Sequence, residues 1–235
     1  MTAPSDDIAT TLRQAFEICR DMDGPLKERL AAYAIASRKA LPAYGEAVDR
    51  LVARINENGG GENGPKPGDA MPDFVLPDES GRLVSLDSLC AAGSVAIMFH
   101  RGHWCPYCRL NVNALVRAQD RISATGGQVV IITPERQQFA QSFKRDSGAP
   151  FPVLTDMDNG YALTLNLAIW LSEDLQAILA RNNLPEFHGN NAWMLPIPAT
   201  FVTGRDGIVK ARFVDPDFRK RMDIDDLITA LRSAN

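Results

Sequence analysis

Two cysteines stand three residues apart at a predicted junction between a buried strand and a helix. Cys105 and Cys108 follow a continuous apolar run at 95–99, which is typical of a strand covered on both faces. Beyond them, apolar residues recur at every fourth position from Leu110 to Ile122, as on one face of a helix. The pattern predicts an α/β chain with both thiols at a helix N-terminus.

A helix N-terminus favours negative charge, because its first N–H groups are unpaired and the helix dipole is positive there. Arg101 and Arg109 add positive charge on either side of the cysteines. We therefore expect a lowered pKa for Cys105. Pro106 is predicted in the first turn, where its missing N–H costs nothing, and Cys108 lies one turn further along the same side. Two thiols in this arrangement can form a reversible disulfide, which indicates redox chemistry.

The two cysteines could instead be buried thiols without a chemical role, or they could form one half of a zinc site. A structural zinc site takes four ligands, usually in two closely spaced pairs. The remaining candidate ligands show no second paired spacing; they are His100, His103, His188, Cys19 and Cys90. The sequence thus favours redox use with no metal and no other cofactor. It predicts small buried hydrophobic side chains at Cys19 and Cys90.

The composition limits the range of partners. The chain has 235 residues, of which 45% are hydrophobic, enough for a sizeable core. A net charge of −4 gives no reason to expect nucleic acid or an anionic membrane surface as a partner. The N-terminus has no basic segment followed by an apolar one, and no stretch reaches the length of a membrane span. These features predict a cytoplasmic protein with reduced thiols.

Residues 1–58 are predicted to form a helical extension. Three segments each show one apolar face, and proline or glycine residues separate them. A linker rich in glycine and proline follows at 59–66, and the main domain spans 67–235. The apolar faces of the extension need a covering surface, either on the main domain or on another subunit. We expect a homodimer through these N-terminal helices.

The main domain alternates strands with helices, which predicts parallel pairing in its central sheet. The region 159–197 is less regular. The predicted elements are a hairpin at 74–86, strands at 95–99, 129–132 and 153–154, a helix at 135–145, a second hairpin at 200–213 and a closing helix at 224–231 capped by Asp223.

This order of elements resembles the thioredoxin fold, an α/β fold with a central mixed sheet flanked by helices, here with an N-terminal helical extension. In that fold a cis-proline faces the cysteines. Pro198, just before the predicted strand at Thr200 and Phe201, matches its position. A cis bond there would put the main chain of Ile197 where it can hydrogen-bond a bound disulfide or peptide.

More narrowly, the chain resembles the peroxiredoxin-like branch of the alkyl hydroperoxide reductase/thiol-specific antioxidant (AhpC/TSA) family. The resemblance covers 67–235 and is most specific at the cysteine motif. The matching segments are 67–74, 99–108, 152–156, 198–202 and 206–207.

The resemblance implies a thiol-dependent peroxidase. Cys105 would attack hydrogen peroxide or an organic hydroperoxide and become a sulfenic acid, and Cys108 would resolve it to a disulfide. Thioredoxin or a glutaredoxin-type dithiol donor would reduce that disulfide. Ordinary peroxiredoxins carry Thr or Ser three residues before the reactive cysteine and Arg just before the Thr-Phe strand. Here these positions hold Gly102 and Pro198.

The residues around the cysteines are candidates for binding substrate or stabilising the thiolate. Arg101, His103 or Arg109 would replace the missing donors, with an exposed loop residue as the alternative for His103. Trp104 is expected to shield the sulfurs, and Tyr107 to face either substrate or solvent. The full candidate set beside the two cysteines is Arg101, Gly102, His103, Trp104, Pro106, Tyr107, Arg109, Ile197 and Pro198.

Two other functions would use the same scaffold. The Cys-Pro-Tyr-Cys motif together with Pro198 also suits a thioredoxin- or glutaredoxin-like protein disulfide reductase. A thioredoxin-like scaffold can also serve as a binding module without catalysis. Peroxide consumption by the reduced protein would favour the peroxidase, and reduction of insulin-type disulfides would favour the reductase. An ordinary Cys105 pKa with neither reaction would favour the binding module.

Overall fold

A computed structural model describes residues 4–235, so residues 1–3 of the predicted extension lie outside the described part of the chain. The helices are α1 (Pro4–Asp21), α2 (Leu26–Ala40), α3 (Pro42–Glu57), α4 (Leu86–Ala92), α5 (Pro106–Arg117), α6 (Gln119–Ser123), α7 (Gln137–Ser147), α8 (Gly160–Thr164), α9 (Glu173–Ala180), α10 (Leu184–His188) and α11 (Ile224–Ala234). The strands are β1 (Val75–Pro77), β2 (Leu83–Ser85), β3 (Val95–Phe99), β4 (Gln128–Thr133), β5 (Val153–Thr155), β6 (Ala168–Trp170), β7 (Met194–Pro196), β8 (Ala199–Thr203) and β9 (Val209–Val214).

A five-stranded mixed sheet forms the centre of the molecule, as predicted. Its strand order is β5-β4-β3-β8-β9, with β3, β4 and β5 parallel and with β8 and β9 antiparallel to their neighbours. All five residues of β3 are buried, since a continuous apolar run suits a strand covered on both faces. Because β3 and β4 are parallel neighbours, the loops that follow Phe99 and Thr133 lie side by side at one edge of the sheet.

The other predicted elements of the main domain are present with small shifts. The hairpins form as β1 with β2 and as β8 with β9. The carboxylate of Asp223 accepts a hydrogen bond from the Asp225 N–H at 3.1 Å, which confirms the predicted cap of α11. Helix α7 begins at Gln137 instead of 135, since Glu135 turns towards the cysteine loop. The region 159–197 contains three short helices and the two-stranded sheet of β6 and β7.

The three N-terminal helices pack on the main domain of the same chain. Their buried residues belong to the same hydrophobic core as the sheet, and α1 and α2 contact α5. The buried guanidinium of Arg29 donates to the carbonyls of Cys19 (2.9 Å) and Arg20 (2.7 Å) and to Asn113 Oδ1 (2.6 Å). Arg117 also donates to the Arg20 carbonyl at 2.8 Å. These bonds satisfy carbonyls at the C-terminal end of α1 and fix it to α5.

The glycine-rich segment after α3 is packed against the main domain. Gly61 donates its N–H to the Asn166 carbonyl at 2.9 Å. Its φ of +82° suits glycine, and a Cβ there would lie only 2.6 Å from Val214 Cγ1. The segment therefore joins the helical extension closely to the sheet. No helix within residues 4–235 is long and apolar enough to cross a membrane.

Candidate active site

The cysteine loop connects the end of β3 to the start of α5. Pro106 is the first residue of α5 and Cys105 is its N-cap residue, which confirms the predicted position of both. The Arg109 N–H donates to the Cys105 carbonyl at 3.0 Å, and the Cys105 N–H donates to the Gly102 carbonyl at 3.2 Å. The loop is thus closed by main-chain hydrogen bonds, and both cysteines carry free thiols.

Hydrogen-bond donors converge on the sulfur of Cys108. The Arg101 N–H lies 3.4 Å from Cys108 Sγ and Arg221 Nη2 lies 3.5 Å from it, and the Cys105 thiol donates to the same sulfur. Burial favours the neutral thiol, but the Cys105 hydrogen bond, the electrostatic effects of His100 and Arg221, and the Arg101 N–H outweigh it. Together they hold the pKa of Cys108 well below its usual range. The site is built to hold a thiolate at Cys108.

The expected low pKa of Cys105 is wrong. Cys105 is only 1% exposed, and burial together with its hydrogen bond to Cys108 raises its pKa well above the ordinary value. Position at a helix N-terminus does not help it, because Pro106 supplies no N–H and the Cys105 side chain makes no capping hydrogen bond. The donors that favour a thiolate converge one turn later, on Cys108 Sγ.

Arg221 and Arg101 bring two buried guanidinium groups to the thiols. Neither of them pairs with a carboxylate in the part of the chain that the structure describes. Arg221 also donates to the carbonyls of Phe218 and Lys220. The Arg101 guanidinium lies 3.9 Å from the ring centre of Phe218 and 5.1 Å from that of Trp104. Arg221 is thus a charged hydrogen-bond donor placed to stabilise a thiolate on Cys108.

A histidine–carboxylate pair lies beside the cysteine loop. Glu135, from the loop after β4, is fully buried; its Oε1 lies 2.5 Å from His103 Nδ1, and its Oε2 accepts the His103 N–H at 2.7 Å. Burial raises the pKa of Glu135 against these hydrogen bonds. The imidazole is stacked on Phe139, with ring centres 5.3 Å apart, and meets Phe187 edge-on. His103 is therefore fixed in orientation rather than being a loose loop residue.

Glu135 explains the glycine at position 102. Gly102 has a φ of +135°, which favours glycine. A Cβ there would come within 2.5 Å of the Glu135 carboxyl carbon and 2.7 Å of Trp104 Nε1. Sequence reasoning missed Glu135, although the parallel pairing of the two preceding strands indicated that their following loops meet.

Aromatic residues cover the thiols from the side of the N-terminal helices. The Tyr107 ring is buried, not solvent-facing, and packs edge-on against Tyr33 of α2 at 5.3 Å and against Phe218 at 5.5 Å. Cys108 is fully buried and Cys105 nearly so. The structure therefore shows the site in a closed form, with both sulfurs shielded from solvent.

The other cysteines lie apart from this site. Cys19 and Cys90 are buried with raised pKa values, mainly through desolvation, which confirms them as small hydrophobic side chains. Among residues 7–235, whose side chains the structure describes, no group of three or more His, Cys, Asp or Glu side chains is arranged to hold a metal ion.

The family can be assigned by comparison with known proteins. The model of the AhpC/TSA family matches residues 67–212, which is more than half of the chain. The chain belongs to the AhpC/TSA family. The match includes the cysteine loop, Glu135 and the strand after Pro198, but ends before Arg221.

Individual relatives of this AhpC/TSA chain are distant. It is 30% identical over 92 residues to "Putative peroxiredoxin bcp" of Coxiella burnetii, a match that covers 39% of this chain and 60% of the relative. The chain thus matches less than two thirds of that protein. Peroxidoxin BcpB from Mycobacterium tuberculosis superposes with a TM-score of 0.58 at 19% identity, over 73% of this chain and 99% of that one. A cysteine-to-serine mutant of the peroxiredoxin 6 of Arenicola marina gives a TM-score of 0.56 at 15% identity, over 72% and 73%. These structures share the fold.

The predicted cis-proline is wrong for this AhpC/TSA chain. No peptide bond within residues 4–235 is cis, so the bond before Pro198 is trans. The preceding strand β7 pairs with β6, and the Ile197 N–H donates to the Leu167 carbonyl at 2.7 Å. This pairing sets the direction in which the chain enters β8. The Ile197 N–H is therefore engaged within the fold and is not free to bind a substrate.

His188 is expected to make the stability of the AhpC/TSA domain sensitive to acid. It is buried rather than on the surface, and desolvation lowers its pKa from 6.5 to about 4. A folded-state pKa below the unfolded one gives stability that is present above pH 6.5 and lost as the pH falls towards 4. Between about pH 7 and about pH 5 this histidine should cost roughly 2 kcal/mol of unfolding free energy.

Urea unfolding of the wild type and of His188→Gln at both pH values measures this effect. The wild type should lose about 2 kcal/mol more than the variant. His100, also buried with a lowered pKa, is present in both proteins and cancels in the difference. Equal losses in the two proteins would contradict the assignment.

Proposed function

We propose that this protein is a thiol peroxidase that reduces hydrogen peroxide or organic hydroperoxides at its Cys105–Cys108 pair. The observation that carries the proposal is the convergence of the Arg221 guanidinium, the Arg101 N–H and the Cys105 thiol on Cys108 Sγ. A peroxidase needs a stabilised thiolate, because the thiolate and not the thiol is the nucleophile.

In the proposed reaction Cys108 attacks first, which exchanges the roles implied by the family resemblance. The Cys108 thiolate attacks the terminal oxygen of the hydroperoxide; the O–O bond breaks, and the leaving oxygen takes up a proton and departs as water or alcohol. Cys108 is then a sulfenic acid. The Cys105 thiol attacks its sulfur, water leaves, and the disulfide forms.

The neighbouring residues have supporting roles in this proposal. Arg221 stabilises the thiolate and then the charge that develops on the peroxide oxygens, in place of the threonine and arginine of ordinary peroxiredoxins. Arg101 holds Phe218 and Trp104 over the site through its guanidinium. His103, oriented by Glu135, is a candidate proton donor to the leaving oxygen. The closed form must open transiently at Tyr33 and Phe218 to admit peroxide.

A dithiol donor of the thioredoxin or glutaredoxin type is proposed to regenerate the thiols, in a reducing cytoplasm. The same pair also supports a second function, reduction of protein disulfides, which the Cys-Pro-Tyr-Cys motif favours. Against it stands the Ile197 N–H, which donates to the Leu167 carbonyl and is not free to bind a protein substrate beside the cysteines.

One set of assays tests the peroxidase against the reductase. Reduced protein is mixed with one equivalent of hydrogen peroxide, and loss of peroxide and of free thiols is followed in a stopped-flow instrument. In parallel, NADPH oxidation is followed with thioredoxin and glutaredoxin systems, with peroxide or insulin as the final oxidant. Consumption of one peroxide with loss of two thiols supports the peroxidase. Reduction of insulin without any reaction with peroxide would reject the peroxidase proposal and favour the protein disulfide reductase.

We also propose a homodimer through the N-terminal helices. Although their inner faces pack on the main domain, Ile18 of α1 and Ile35 of α2 remain 70% and 72% exposed. Such side chains on adjacent helices give a surface suited to a second copy. Light scattering after size exclusion should give twice the chain mass for the wild type and the chain mass for an Ile18→Lys, Ile35→Lys variant. A monomeric wild type would end this proposal.

A further inference from the structure

The N-terminal helices place two tyrosines at the cysteine loop. Tyr33 of α2 is buried, and its ring meets the Tyr107 ring edge-on, with the ring centres 5.3 Å apart. Tyr44 of α3 lines a small cavity together with Tyr107 and Phe218. The family match begins only at residue 67, so both Tyr33 and Tyr44 precede the matched domain. The extension therefore adds aromatic cover to a site that the matched domain would otherwise leave more open.

Both tyrosines of the extension lie close to Cys105. Burial raises the pKa of Tyr33, and the nearby Cys105 raises it further. Burial also raises the pKa of Tyr44, where Arg101 opposes the change and Cys105 adds to it. The pKa of Tyr107 is raised by burial and by its neighbours Tyr44 and Tyr33, since the three rings lie together. We call Tyr33, Tyr44 and Tyr107 the tyrosine cover of the site.

The tyrosine cover lies between a wide outer cavity and a narrow inner cavity. The outer cavity has a volume of ≈ 600 Å³ and reaches Tyr33 and Pro106. The inner cavity, which is lined by Tyr44, Tyr107 and Phe218, has a volume of only ≈ 10 Å³. A cavity of that size holds about one water molecule. Tyr33 lines the outer cavity and Tyr107 the inner one, so the contact between their rings lies between the two spaces.

These dimensions favour a small oxidant. Hydrogen peroxide is little larger than a water molecule, whereas an organic hydroperoxide carries a hydrocarbon body. The outer cavity is large enough for such a body. Both sulfurs are nevertheless buried, and the packed rings of Tyr33 and Tyr107 close the inner side of this cavity. Displacing packed aromatic rings costs free energy, and a bulky molecule needs a larger displacement than hydrogen peroxide does.

We propose that the N-terminal extension is part of the active site and that its Tyr33 is a specificity-determining residue, which admits hydrogen peroxide to the thiols and excludes bulky organic hydroperoxides. The inference rests on the proposed function and narrows its substrate class. Tyr33 takes no part in the chemistry of the peroxide and acts through its packing against Tyr107. A change at Tyr33 should therefore alter the ratio of the rates with large and small peroxides, and not the rate with hydrogen peroxide itself.

The first test compares two peroxides that differ in size. Reduced protein is mixed with hydrogen peroxide or cumene hydroperoxide, loss of thiolate absorbance gives each rate, and each rate is divided by that of the same peroxide with free cysteine. The wild type should prefer hydrogen peroxide by about a hundredfold or more. Tyr33→Leu should raise the rate with cumene hydroperoxide by about tenfold and change the rate with hydrogen peroxide by less than about threefold. Tyr33→Phe keeps the ring and should keep the preference.

Two further variants connect the preference to the tyrosine cover. Tyr161→Leu is the matched control, because Tyr161 is also a buried tyrosine but packs against Phe74 and Phe99. Its preference between the peroxides should equal that of the wild type. Tyr44→Leu removes the other ring of the extension and should shift the preference in the same direction as Tyr33→Leu. It provides a second measurement if Tyr33→Leu folds poorly, which urea unfolding of each variant reveals.

The second test uses thiol reagents, so it does not depend on a reaction with peroxide. Methyl and benzyl methanethiosulfonate release the same leaving group and differ in size, and both form a mixed disulfide with a thiolate. Mass spectrometry follows the modification of Cys105 and Cys108, and each rate is again divided by that with free cysteine. The wild type should prefer the methyl reagent by about a hundredfold or more, and Tyr33→Leu should reduce this preference by about tenfold.

Three outcomes would overturn the inference. The wild type reacts with both peroxides at similar normalised rates, or Tyr33→Leu accelerates both peroxides alike, or Tyr161→Leu shifts the preference as much as Tyr33→Leu does. The outcome for the peroxidase is separate. If neither peroxide reacts while the preference for the methyl reagent depends on Tyr33, the size selectivity is kept and the proposed function is rejected. Rapid consumption of hydrogen peroxide without any size preference keeps the peroxidase and rejects the role of Tyr33.

Discussion

Cys108→Ser should remove rapid peroxide consumption, whereas Cys105→Ser should consume one equivalent of peroxide and then stop. The difference follows from the position of the negative charge. In the Cys108→Ser variant only Cys105 is left at the site, and burial raises its pKa above the ordinary value. An ordinary thiol is only about 3% ionised at neutral pH, and burial lowers that fraction further, so the rate should fall by about tenfold or more.

The Cys105→Ser variant keeps the chemistry of the first step. A serine hydroxyl can still donate to Cys108 Sγ, and Arg221 and the Arg101 N–H are unchanged. Without a thiol at 105 the sulfenic acid on Cys108 has no partner and persists. Stopped-flow peroxide consumption measures the first step, and mass spectrometry after trapping with dimedone locates the sulfenic acid. Sulfenic acid on Cys105 in the Cys108→Ser variant, formed at the wild-type rate, would restore the roles implied by the family resemblance.

The parts of the fold and site that the sequence predicts are those set by local patterns. The uninterrupted apolar residues of β3 predict a central strand, and Pro106 predicts the first residue of α5, because both depend on neighbouring residues alone. Together these two elements predict which edge of the sheet carries the cysteines. The family resemblance and the matched family model agree on this region.

The parts that the sequence does not predict depend on contacts between distant segments. Arg221 reaches Cys108 across 113 positions from a turn that follows β9, and no spacing or periodicity marks it. The pKa order of the two cysteines depends on that contact, so helix position alone does not predict it. Burial of the thiols likewise depends on how α2 docks, because Tyr33 meets Tyr107 only in the folded chain. The pairing of β6 with β7 just before Pro198 also lies in a region where the sequence showed no regular pattern.

Arg221→Met should raise the pKa of Cys108 and slow its reaction with peroxide. The guanidinium is the charged donor to the sulfur, and a hydrogen bond from a charged group is worth about 1.5 to 3 kcal/mol, or one to two pKa units. The rate with hydrogen peroxide at neutral pH should therefore fall by about ten- to a hundredfold. Loss of thiolate contributes to this fall at pH values below the new pKa, and loss of transition-state stabilisation contributes at all pH values.

The two contributions separate in a pH profile of the peroxide rate, measured together with the ultraviolet absorbance of the thiolate. If Arg221 acts on the thiolate alone, the variant regains the wild-type rate once the pH exceeds its Cys108 pKa. If Arg221 also stabilises the breaking O–O bond, the plateau at high pH stays lower. Arg221→Lys keeps the charge but lacks the planar guanidinium, which can donate two hydrogen bonds side by side. This variant should therefore restore the Cys108 pKa more fully than it restores the plateau rate at high pH.

Arg219→Met is the matched control for Arg221, because Arg219 lies two residues away, pairs with Asp217 and Asp49, and makes no hydrogen bond to a sulfur. Its rate and Cys108 pKa should stay close to those of the wild type. Urea unfolding of each variant distinguishes a chemical effect from lost structure, since Arg221→Met also removes the donors to the Phe218 and Lys220 carbonyls. An Arg221→Met protein that is folded and has an unchanged Cys108 pKa would reject the assignment of the thiolate to Cys108. The first reaction step would then have to be sought at Cys105.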